Sequence, residues 1–370
     1  MSRVAVALSG GVDSSVAAAI LHEAGHEVIG VTLRMQRAAP LRHTVDDGIS
    51  RARLVASHLG IAFDVVDTID LFTSRVLAPA WADYAAGRTP SPCVQCNPHV
   101  KIDALLHWAE KHAIDYIATG HYARVEVDDL GKVHLRRAAD RSKDQSYFLA
   151  GMNATQLARL FLPLGDLDKI EVRARARALD LPTAHARESQ DACFVAPGQP
   201  VAERLRNHFA GSSAPGPIVD IGGRTIGQHP GIHRFTVGQR RGLGLQTLQR
   251  HWVLRIDAPT RTVVVTPNAS DLDGTRLRSS RTTWIDDTNP AAGTAPGATA
   301  KATSRCLVQI RSTHKAAPAA ITHPSAGIVD VVFDAPVRAI TPGQAAVFYA
   351  GDHVLGQGWI DCPSPDVSFG

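Results

Sequence analysis

The segment at residues 8–15, LSGGVDSS, constrains this chain more than any other. It follows the apolar run 4–8 and precedes the helical pattern 16–21, so it lies where a first strand turns into a first helix. Glycines at such a turn allow a positive φ and let the backbone approach an anion. Free N–H groups at the start of the helix, together with the serine hydroxyls, then form a phosphate site. The alternative is a glycine turn with Asp13 or Ser14 as helix cap.

The first 120 residues alternate strand and helix patterns. Strands are predicted at 4–8, 26–33, 62–66 and 116–119, and helices at 16–21, 46–59 and 101–112. Strands separated by helices of this length indicate an α/β fold with a doubly wound parallel sheet. Ligands bind such sheets at the carboxyl ends of the strands, where Ser9-Gly10-Gly11 and Gly120-His121 both fall.

The rest of the chain changes character twice. A hairpin is predicted around residues 128–131 and a basic helix over 168–179. Short strand patterns follow at 218–221, 225–226, 252–256, 262–265, 306–311, 327–333, 345–349 and 354–360, with an Ala/Pro/Thr-rich linker over 289–303. We therefore predict a catalytic domain over 1–198, a small β-rich domain over 199–268 and a C-terminal β-barrel over 269–370.

Composition limits the class of protein. The chain has 370 residues and a net charge of +4, which permits a nucleic-acid partner without demanding one. No apolar stretch reaches the roughly 18 residues of a membrane span. Five cysteines in a long chain do not indicate a disulfide framework. We expect a cytoplasmic protein with no membrane partner and mostly reduced thiols.

A proline-flanked pair of cysteines occupies residues 87–97, GRTPSPCVQCN. The prolines predict a shaped loop before a helix that starts near His99. Cys96 then lies near a helix N-terminus, which would lower its thiol pKa and make it nucleophilic. Incidental loop cysteines, half of a zinc site or a thioredoxin-like dithiol remain open, although no second ligand pair follows at zinc spacing. Cys193, after a polar run, is predicted to lie in an exposed loop.

Several motifs together carry a family resemblance. The first loop resembles the SGGxDS pyrophosphate loop of the ATP pyrophosphatases. That loop, the segment with Cys96, the later Cys-Phe pair, TGHY at 119–122, KDQSYFL at 143–149 and TVGQRRGLG at 236–244 resemble the tRNA-specific 2-thiouridylases along essentially the whole chain. PGQA at 342–345 and VFY at 347–349 resemble the C-terminal barrel of that family.

The resemblance implies an ATP-dependent tRNA sulfurtransferase. Such enzymes adenylate O2 of the wobble uridine and replace that oxygen with sulfur to give 2-thiouridine. By resemblance, Cys193 carries the persulfide and Cys96 is the nucleophile, so that a disulfide between cysteines can form. The implied cofactors are ATP with Mg²⁺ and no protein-bound metal. The implied partners are a tRNA with uridine at the wobble position and a sulfur donor, either a cysteine desulfurase or a sulfur-relay carrier.

The resemblance also assigns two sets of binding residues. The nucleotide set is Ala7, Leu8, Ser9, Gly10, Gly11, Val12, Asp13, Ser14, Leu33 and Gly120. The tRNA set is Ser91, Pro92, Cys93, His121, Lys143, Asp144, Gln145, Arg311, Ser312 and Gln344. In such an interface, basic side chains position phosphates and polar side chains read unstacked bases.

This chain departs from the family pattern in three places. Cys93 stands where some members have Asp, so it could replace Cys96 or form a disulfide with it. Residues 309–314 lack the arginine- and tyrosine-rich pattern, and 37–44 is short. Two other functions compete: an amidating or ligating pyrophosphatase, which leaves the cysteines unexplained, and an RNA-binding module with a relic nucleotide fold, which leaves the intact SGGVDSS unexplained.

Overall fold

The structure is a computed structural model, and it describes residues 1–37, 44–186, 193–195, 198–211, 214–285 and 303–361. The chain divides into two compact units. The first comprises Met1–Arg75, Cys93–Phe194 and Asp352–Leu355, and the second comprises Val76–Pro92, Val195–Gly351 and Gly356–Gly370. The three domain boundaries given above stay predictions.

The described helices are short apart from two near the N-terminus. They are α1 Val12–Glu23, α2 Thr44–Leu59, α3 Ile69–Phe72, α4 Ala78–Ala85, α5 Pro92–Cys96, α6 Asp103–Lys111, α7 Ser146–Leu149, α8 Ala154–Ala158, α9 Lys169–Ala178 and α10 Val201–His208. Two π-helical segments, Thr73–Leu77 and Asn97–Ile102, and two 3₁₀ turns, Ile232–Arg234 and Ala269–Leu272, accompany them.

Seventeen strands are assigned within the described residues. They are β1 Arg3–Ala7, β2 Glu27–Arg34, β3 Ala62–Asp67, β4 Tyr116–Ala118, β5 Ala123–Val127, β6 Val133–Arg137, β7 Leu160–Phe161, β8 Gly216–Val219, β9 Thr225–His229, β10 Trp252–Asp257, β11 Thr262–Thr266, β12 Asp273–Trp284, β13 Ser304–Gln309, β14 Ala317–Ser325, β15 Ile328–Arg338, β16 Ala345–Ala350 and β17 His353–Ile360.

A parallel sheet forms the centre of the first unit and confirms the predicted fold class. Its strand order is β3-β2-β1-β4-β7, and every neighbouring pair runs parallel. The centre of β1 is fully buried because this strand is hydrogen-bonded on both edges and covered on both faces. Helix α1 packs on α9 through Val16, Ala17, Val172 and Ala176. The loop after β1 therefore starts from a rigid base.

The predicted hairpin of the first unit is also confirmed. Strands β5 and β6 pair antiparallel, with Val127 opposite Val133 at the turn end. The turn contains Gly131, whose φ is +77°, and the side chain of Asp128 accepts hydrogen bonds from the backbone N–H groups of Leu130 and Lys132. Turn chemistry of this kind is what the Asp-Asp-Leu-Gly sequence predicts.

The second unit begins with a four-stranded sheet of order β10-β11-β8-β9. Strands β11 and β8 pair parallel although 42 residues separate Val219 from the start of β11, and the other two pairs are antiparallel. Ile218, Phe235, Val253, Val263 and Val265 form its core. The predicted β-rich character of this region is confirmed.

Six further strands of the second unit close into a barrel, as expected for the C-terminal region. The order β12-β15-β14-β13-β16-β17 returns to β12, because β12 pairs with β15 and also with β17. The sequence analysis missed β12 and β14. Residues 289–302 of the predicted linker lie outside the described residues. No described helix has the length and apolar character that crossing a membrane requires.

Candidate active site

The glycine loop leaves β1 at the carboxyl edge of the parallel sheet, as predicted. Gly10 has a φ of +74°, and a Cβ there would lie 2.4 Å from the carbonyl oxygen of Gly48. Helix α1 begins immediately afterwards with Gly11 as its N-cap. A side chain at position 10 would be strained and would clash with backbone, so only glycine lets the loop pass this close to α2.

The serines of the loop do not all point outward. Ser9 Oγ and Ser14 Oγ lie 3.1 Å apart, and Ser14 Oγ donates to the carbonyl of Gly11 at 3.1 Å. Ser15, by contrast, is fully buried and accepts a hydrogen bond from Thr183 Oγ1 at 2.9 Å. Ser9 is therefore exposed on the loop, Ser14 is 5% exposed, and Ser15, which the sequence analysis grouped with them, anchors α1.

Asp13 is held by two side chains that are distant in sequence. Lys169 Nζ donates to its Oδ1 at 2.5 Å, and the Tyr122 hydroxyl donates to the same oxygen at 2.8 Å. The Lys169 side chain is 12% exposed and that of Asp13 is 34% exposed. Lys169 is the first residue of α9, after a capping box built by Asp168 and Glu171. The sequence did not predict the contact of Lys169 with Asp13, because a lone lysine at the start of a basic helix is typical of an exposed surface charge.

The other predicted nucleotide residues surround this loop. Gly120 follows β4, and a Cβ on it would lie 2.7 Å from both Asp13 C and Ser14 N. Thr32 Oγ1 donates to the carbonyl of Leu8 at 2.6 Å and ties β2 to the end of β1. Leu33, the next residue of β2, is partly buried. Ala7, Leu8 and Val12 complete the strand end and the helix start, with Leu8 and Val12 buried.

The cysteine segment is helical rather than a loop. Helix α5 starts at Pro92, and the π-helical segment Asn97–Ile102 joins it to α6. Proline is tolerated at the first helical position because the N–H that it lacks has no partner there in any helix. The predicted shaped loop is therefore wrong from Pro92 onwards, and Cys96 lies inside a continuous helical stretch.

Burial is the largest influence on the pKa values of the two thiols of this helix. Cys96 is 3% exposed, and burial raises the pKa of its thiol to about 12. Burial also raises the pKa of the Cys93 thiol, and Lys101 opposes that rise at both cysteines. The expected lowering of the Cys96 pKa is not found, because desolvation of the thiolate outweighs the nearby positive charge. In this state Cys96 is a protonated thiol.

Cys193 contrasts with Cys96. It is exposed, and Gln36 Nε2 donates to its backbone carbonyl at 3.0 Å. The ring of the adjacent Phe194 packs edge-on against Phe72, with centroids 5.8 Å apart. The predicted exposed position of Cys193 is thus confirmed, whereas residues 187–192, 196 and 197 lie outside the described residues. Cys93, Cys96, Cys193 and Cys306 are all free thiols.

The predicted tRNA residues of the first unit are heavily bonded within the protein. Asp144, whose side chain is 7% exposed, accepts from Arg137 Nη1 at 2.7 Å, from Ala138 N and from Ser146 Oγ. Gln145 Oε1 accepts from the N–H of Tyr122 at 2.9 Å. Lys143 is partly buried. Asp144 and Gln145 therefore shape the segment that carries Lys143.

His121 is neutral. Its Nδ1 lies 2.8 Å from Thr119 Oγ1, and burial together with the charge of Lys101 lowers its pKa to about 3. A neutral imidazole donates a hydrogen bond from one ring nitrogen and accepts one at the other.

The predicted tRNA residues of the second unit occupy two places. Gln344 Nε2 donates to the carbonyls of Thr89 and Pro90, at 3.0 and 3.2 Å, and so supports the stretch that leads to Ser91 and Pro92. Arg311 Nη1 donates to the carbonyls of Arg338 and Ala339. The carbonyl of Ser312 accepts from Gln309 Nε2 at 3.1 Å. In both places a glutamine side chain, Gln344 or Gln309, donates hydrogen bonds to backbone carbonyls and so fixes the local backbone.

The described residues contain no cluster of three or more His, Cys, Asp or Glu side chains arranged to hold a metal ion.

Three domain descriptions match the chain in succession. They are the tRNA methyl transferase HUP domain over residues 2–197, the tRNA methyl transferase PRC-barrel domain over 204–267 and the aminomethyltransferase beta-barrel domain over 275–360. The parallel sheet and its glycine loop lie within the HUP match, so this part of the chain is a domain of the HUP class.

Full-length relatives identify the family. Proteins named tRNA-specific 2-thiouridylase MnmA are 42% identical in Roseiflexus sp. (strain RS-1) and 44% in Solibacter usitatus, each match covering 97% of this chain and 99% of the relative. The protein of that name from Chloroflexus aggregans is 43% identical over 98% of this chain and 99% of its own length. The chain belongs to the tRNA-specific 2-thiouridylase family.

A solved structure of the U34-tRNA thiolase NcsA from Methanococcus maripaludis is more distant. It has 18% identity and a TM-score of 0.34, covering 56% of this chain and 64% of that chain. This similarity adds nothing to the family assignment.

Proposed function

We propose that the protein is an ATP-dependent tRNA sulfurtransferase that makes 2-thiouridine at the wobble position of tRNA. The observation that carries this proposal is the combination, within one unit, of the glycine loop with Asp13 and two free cysteines, the buried Cys96 and the exposed Cys193. The loop supplies backbone N–H groups and hydroxyls that can bind a triphosphate, and the cysteines supply thiols that can carry and transfer sulfur. The full-length relatives named 2-thiouridylases support the same reaction.

The glycine loop is proposed to bind the ATP phosphates. Gly10 and Gly120 leave no room for a Cβ, so backbone N–H groups can approach phosphate oxygens closely. Ser9 and Ser14, already hydrogen-bonded to each other, offer hydroxyls to the same anion. Mg²⁺ would be held by phosphate oxygens with help from Asp13, and it would neutralise charge on the triphosphate.

Adenylation converts O2 of the uridine into part of a good leaving group. The uridine O2 attacks the α-phosphorus of ATP, the bond between that phosphorus and the bridging oxygen breaks, and pyrophosphate leaves. The uridine oxygen then departs with AMP rather than as oxide or hydroxide. The chain contributes orientation and charge stabilisation at the glycine loop, the usual means by which proteins accelerate phosphoryl chemistry.

Sulfur transfer is assigned to Cys193 and Cys96. An exposed Cys193 can receive sulfur from a donor protein, a cysteine desulfurase or a sulfur-relay carrier, and hold it as a persulfide. The terminal sulfur attacks C2 of the adenylated uridine and AMP leaves. The Cys96 thiol then gives up its proton to solvent and its sulfur attacks the Cys193 sulfur, the S–S bond breaks, and the outer sulfur stays on the tRNA. The resulting Cys96–Cys193 disulfide is reduced by an external dithiol.

A tRNA is proposed as the substrate, in the cytoplasm, with contacts at the residues that the family resemblance assigns. Ser91, Pro92 and Cys93 would hold the target base beside Cys96, and His121 would offer a neutral imidazole to it. Lys143 and Arg311 would bind tRNA phosphates. Ser312 would contribute through its backbone, which Gln309 holds, and Gln344 would contribute by holding the backbone at Thr89.

The test is nucleoside mass analysis of unmodified tRNA after incubation with the full chain, Mg-ATP and a persulfide donor protein. Wild type is expected to form 2-thiouridine only with ATP. Asp13→Ala, Cys96→Ser and Cys193→Ser should each reduce the product below about 1% of wild type, a loss of roughly 2.7 kcal/mol of transition-state stabilisation. Cys306→Ser, a buried barrel thiol, is the matched control and should retain activity. Pyrophosphate release without thiolation would contradict the proposal.

A further inference from the structure

A guanidinium with no role in the mechanism above lies beside the glycine loop. Arg51, on α2, donates a hydrogen bond from Nε to the carbonyl oxygen of Gly10 at 3.1 Å. Both residues belong to the first unit, and Arg51 is an exposed residue. The hydrogen bond therefore holds the head group of an exposed arginine at the loop that precedes α1.

The backbone that carries Arg51 is fixed against this loop. An added Cβ on Gly10 would lie 2.4 Å from the carbonyl oxygen of Gly48 and 3.2 Å from Cβ of Arg51. On its buried side, α2 packs through Ala52 and Val55 into the core that surrounds β1. Packing of α2 thus determines where the Arg51 side chain starts, and that point is close to the loop.

The guanidinium has donors that the described part of the chain does not use. An arginine head group carries five N–H donors. Nε–H of Arg51 bonds to Gly10, whereas none of the described residues accepts a hydrogen bond from Nη1 or Nη2, and no described carboxylate forms an ion pair with Arg51. The planar fork of an arginine matches two oxygens of one phosphate group. The Nη edge of Arg51 therefore has the donors that a phosphate ligand requires.

A second cation near the loop differs from Arg51 in this respect. Lys169 Nζ lies 2.5 Å from Oδ1 of Asp13, and the Lys169 side chain is 12% exposed. The charge of Lys169 is therefore balanced by a carboxylate of the protein itself, whereas the charge of Arg51 is available to a ligand. In a triphosphate the two terminal phosphates carry most of the negative charge, so at equal distance their attraction to a guanidinium is the strongest.

We propose that Arg51 is a binding residue for the two terminal phosphates of ATP, and that it holds the same phosphates when they leave as pyrophosphate. Nε stays on the Gly10 carbonyl while the two Nη groups donate to phosphate oxygens. When the bond between the α-phosphorus and the bridging oxygen breaks, its electron pair remains on pyrophosphate, so the negative charge beside Arg51 increases and the attraction grows. This inference rests on the proposed binding of ATP at the glycine loop and is independent of the sulfur-transfer steps.

The test measures ligand binding to the full chain without tRNA. Dissociation constants are determined by calorimetry for Mg-ATP and Mg-pyrophosphate, and for AMP by its displacement of a fluorescent ATP analogue. Arg51→Met keeps much of the aliphatic stem and removes the charge, whereas Arg51→Lys keeps the charge. Arg53→Met is the matched control, because it removes the same charge from the same helix at a side chain that lies over the ring of Phe63, 5.1 Å from its centre.

AMP distinguishes a contact with the ligand from support of the loop. It has the α-phosphate but lacks the two phosphates that Arg51 is proposed to hold. A substitution that only distorts the loop weakens the binding of ATP and AMP alike. Loss of a contact with the terminal phosphates weakens the binding of ATP and pyrophosphate but not that of AMP.

We expect Arg51→Met to raise the Kd values of Mg-ATP and Mg-pyrophosphate about tenfold, as for the loss of a hydrogen bond between charged groups. The Kd of AMP in this variant, and all three Kd values in Arg53→Met, should stay within about twofold of wild type. Because the lost interaction joins two charges, the Kd of Mg-ATP should depend less steeply on salt concentration in Arg51→Met than in wild type or Arg51→Lys. An unchanged Kd of Mg-ATP in Arg51→Met, or equal increases for ATP and AMP, would overturn the proposal.

Arg51→Gln replaces Arg51→Met if the methionine variant does not fold. Failure of both neutral variants to fold, with Arg51→Lys folding normally, would assign Arg51 a structural role and also overturn the proposal. If Arg51→Met weakens ATP and pyrophosphate binding as expected but wild type forms no 2-thiouridine, the proposed function fails and the assignment of Arg51 stands. If wild type forms 2-thiouridine and Arg51→Met binds ATP as tightly as wild type, only the assignment of Arg51 fails.

Discussion

The hydroxyl of Tyr122 donates a 2.8 Å hydrogen bond to Oδ1 of Asp13, the oxygen that Lys169 Nζ also contacts. Tyr122 lies in the connection from β4 to β5, whereas Asp13 is the second residue of α1, so the bond joins the segments that follow two neighbouring strands of the parallel sheet. The ammonium of Lys169 also lies 5.6 Å from the centre of the Tyr122 ring. A carboxylate next to a phosphate site would repel the ligand, and this arrangement neutralises it.

Lys169→Met should weaken ATP binding more than Tyr122→Phe. The methionine variant leaves the Asp13 charge without its ammonium, whereas the phenylalanine variant removes one hydrogen bond and keeps the ion pair with Lys169. We expect the KM for ATP to rise about tenfold or more in Lys169→Met and a few-fold in Tyr122→Phe, measured by pyrophosphate release. Lys111→Met, which removes an exposed charge at the end of α6, is the control. Equal KM values in Lys169→Met and wild type would contradict this explanation.

Gly120→Ala should also impair ATP binding. The added Cβ would lie 2.7 Å from backbone atoms of Asp13 and Ser14, so the glycine loop must shift. Overpacking of this kind costs about 1–3 kcal/mol. We expect the Kd for ATP, measured by calorimetry, to rise roughly tenfold. Gly48→Ala is the matched control, because its Cβ would approach Ser9 O only to 3.6 Å. A similar loss in both variants would show that crowding at Gly120 is not the cause.

Asp144→Ala should lower stability. The Asp144 carboxylate is 7% exposed and accepts hydrogen bonds from the Arg137 guanidinium, two backbone N–H groups and a serine hydroxyl. Removing one partner of a buried ion pair costs about 3–5 kcal/mol. Urea unfolding followed by the ¹⁹F signal of fluorinated Trp108, the tryptophan of the first unit, checks this.

Asp166→Ala is the control for Asp144→Ala, because the Asp166 side chain is 80% exposed and its pairing with Arg124 spans 3.6 Å. Its stability should change by less than about 0.5 kcal/mol. If Asp144→Ala left stability unchanged and reduced tRNA affinity, Asp144 would be a direct tRNA contact instead.

His121 should make the first unit less stable in mild acid. Burial and Lys101 lower its folded-state pKa to about 3, below the unfolded value near 6.5. Between these values the unfolded chain binds a proton that the folded chain does not, so stability falls as pH drops through this window. The loss from this group is at most about 1.4 kcal/mol per pH unit. His121→Gln should lose less stability than wild type between pH 6.5 and pH 5, measured by the Trp108 signal, and equal losses would contradict the assignment.

The sequence predicted the parallel sheet well because its strands are compact apolar runs followed by turn residues. It missed β12 because DGTRLRSSRTTW is rich in Ser, Thr and Arg, yet Leu277 and Ser279 are buried where the strand lies against the barrel core. It missed β14 because Ala and Pro favour strands weakly. Both strands are stabilised by their neighbours, which no local pattern records.

The site was predicted unevenly for similar reasons. Motifs predict Gly10, Asp13, Cys96 and Cys193 as site residues, since their spacing along the chain is informative. Arg51 and Lys169 carry no such signal, because their importance depends on what the fold brings to their charged groups. Burial of Cys96, which reversed the expected change of its pKa, is likewise a property of packing.

Closure of the C-terminal barrel limits the ways in which other molecules can bind to this part of the chain. Because β12 bonds to both β15 and β17, each of the six strands has two neighbours within the ring, and the start of β17 also pairs with β6 at His353. Closure leaves the six strands with few unpaired backbone donors and acceptors, which protects the ring from edge-to-edge aggregation. A visiting molecule must instead be recognised by side chains and by connecting turns, such as the one that carries Arg311 and Ser312.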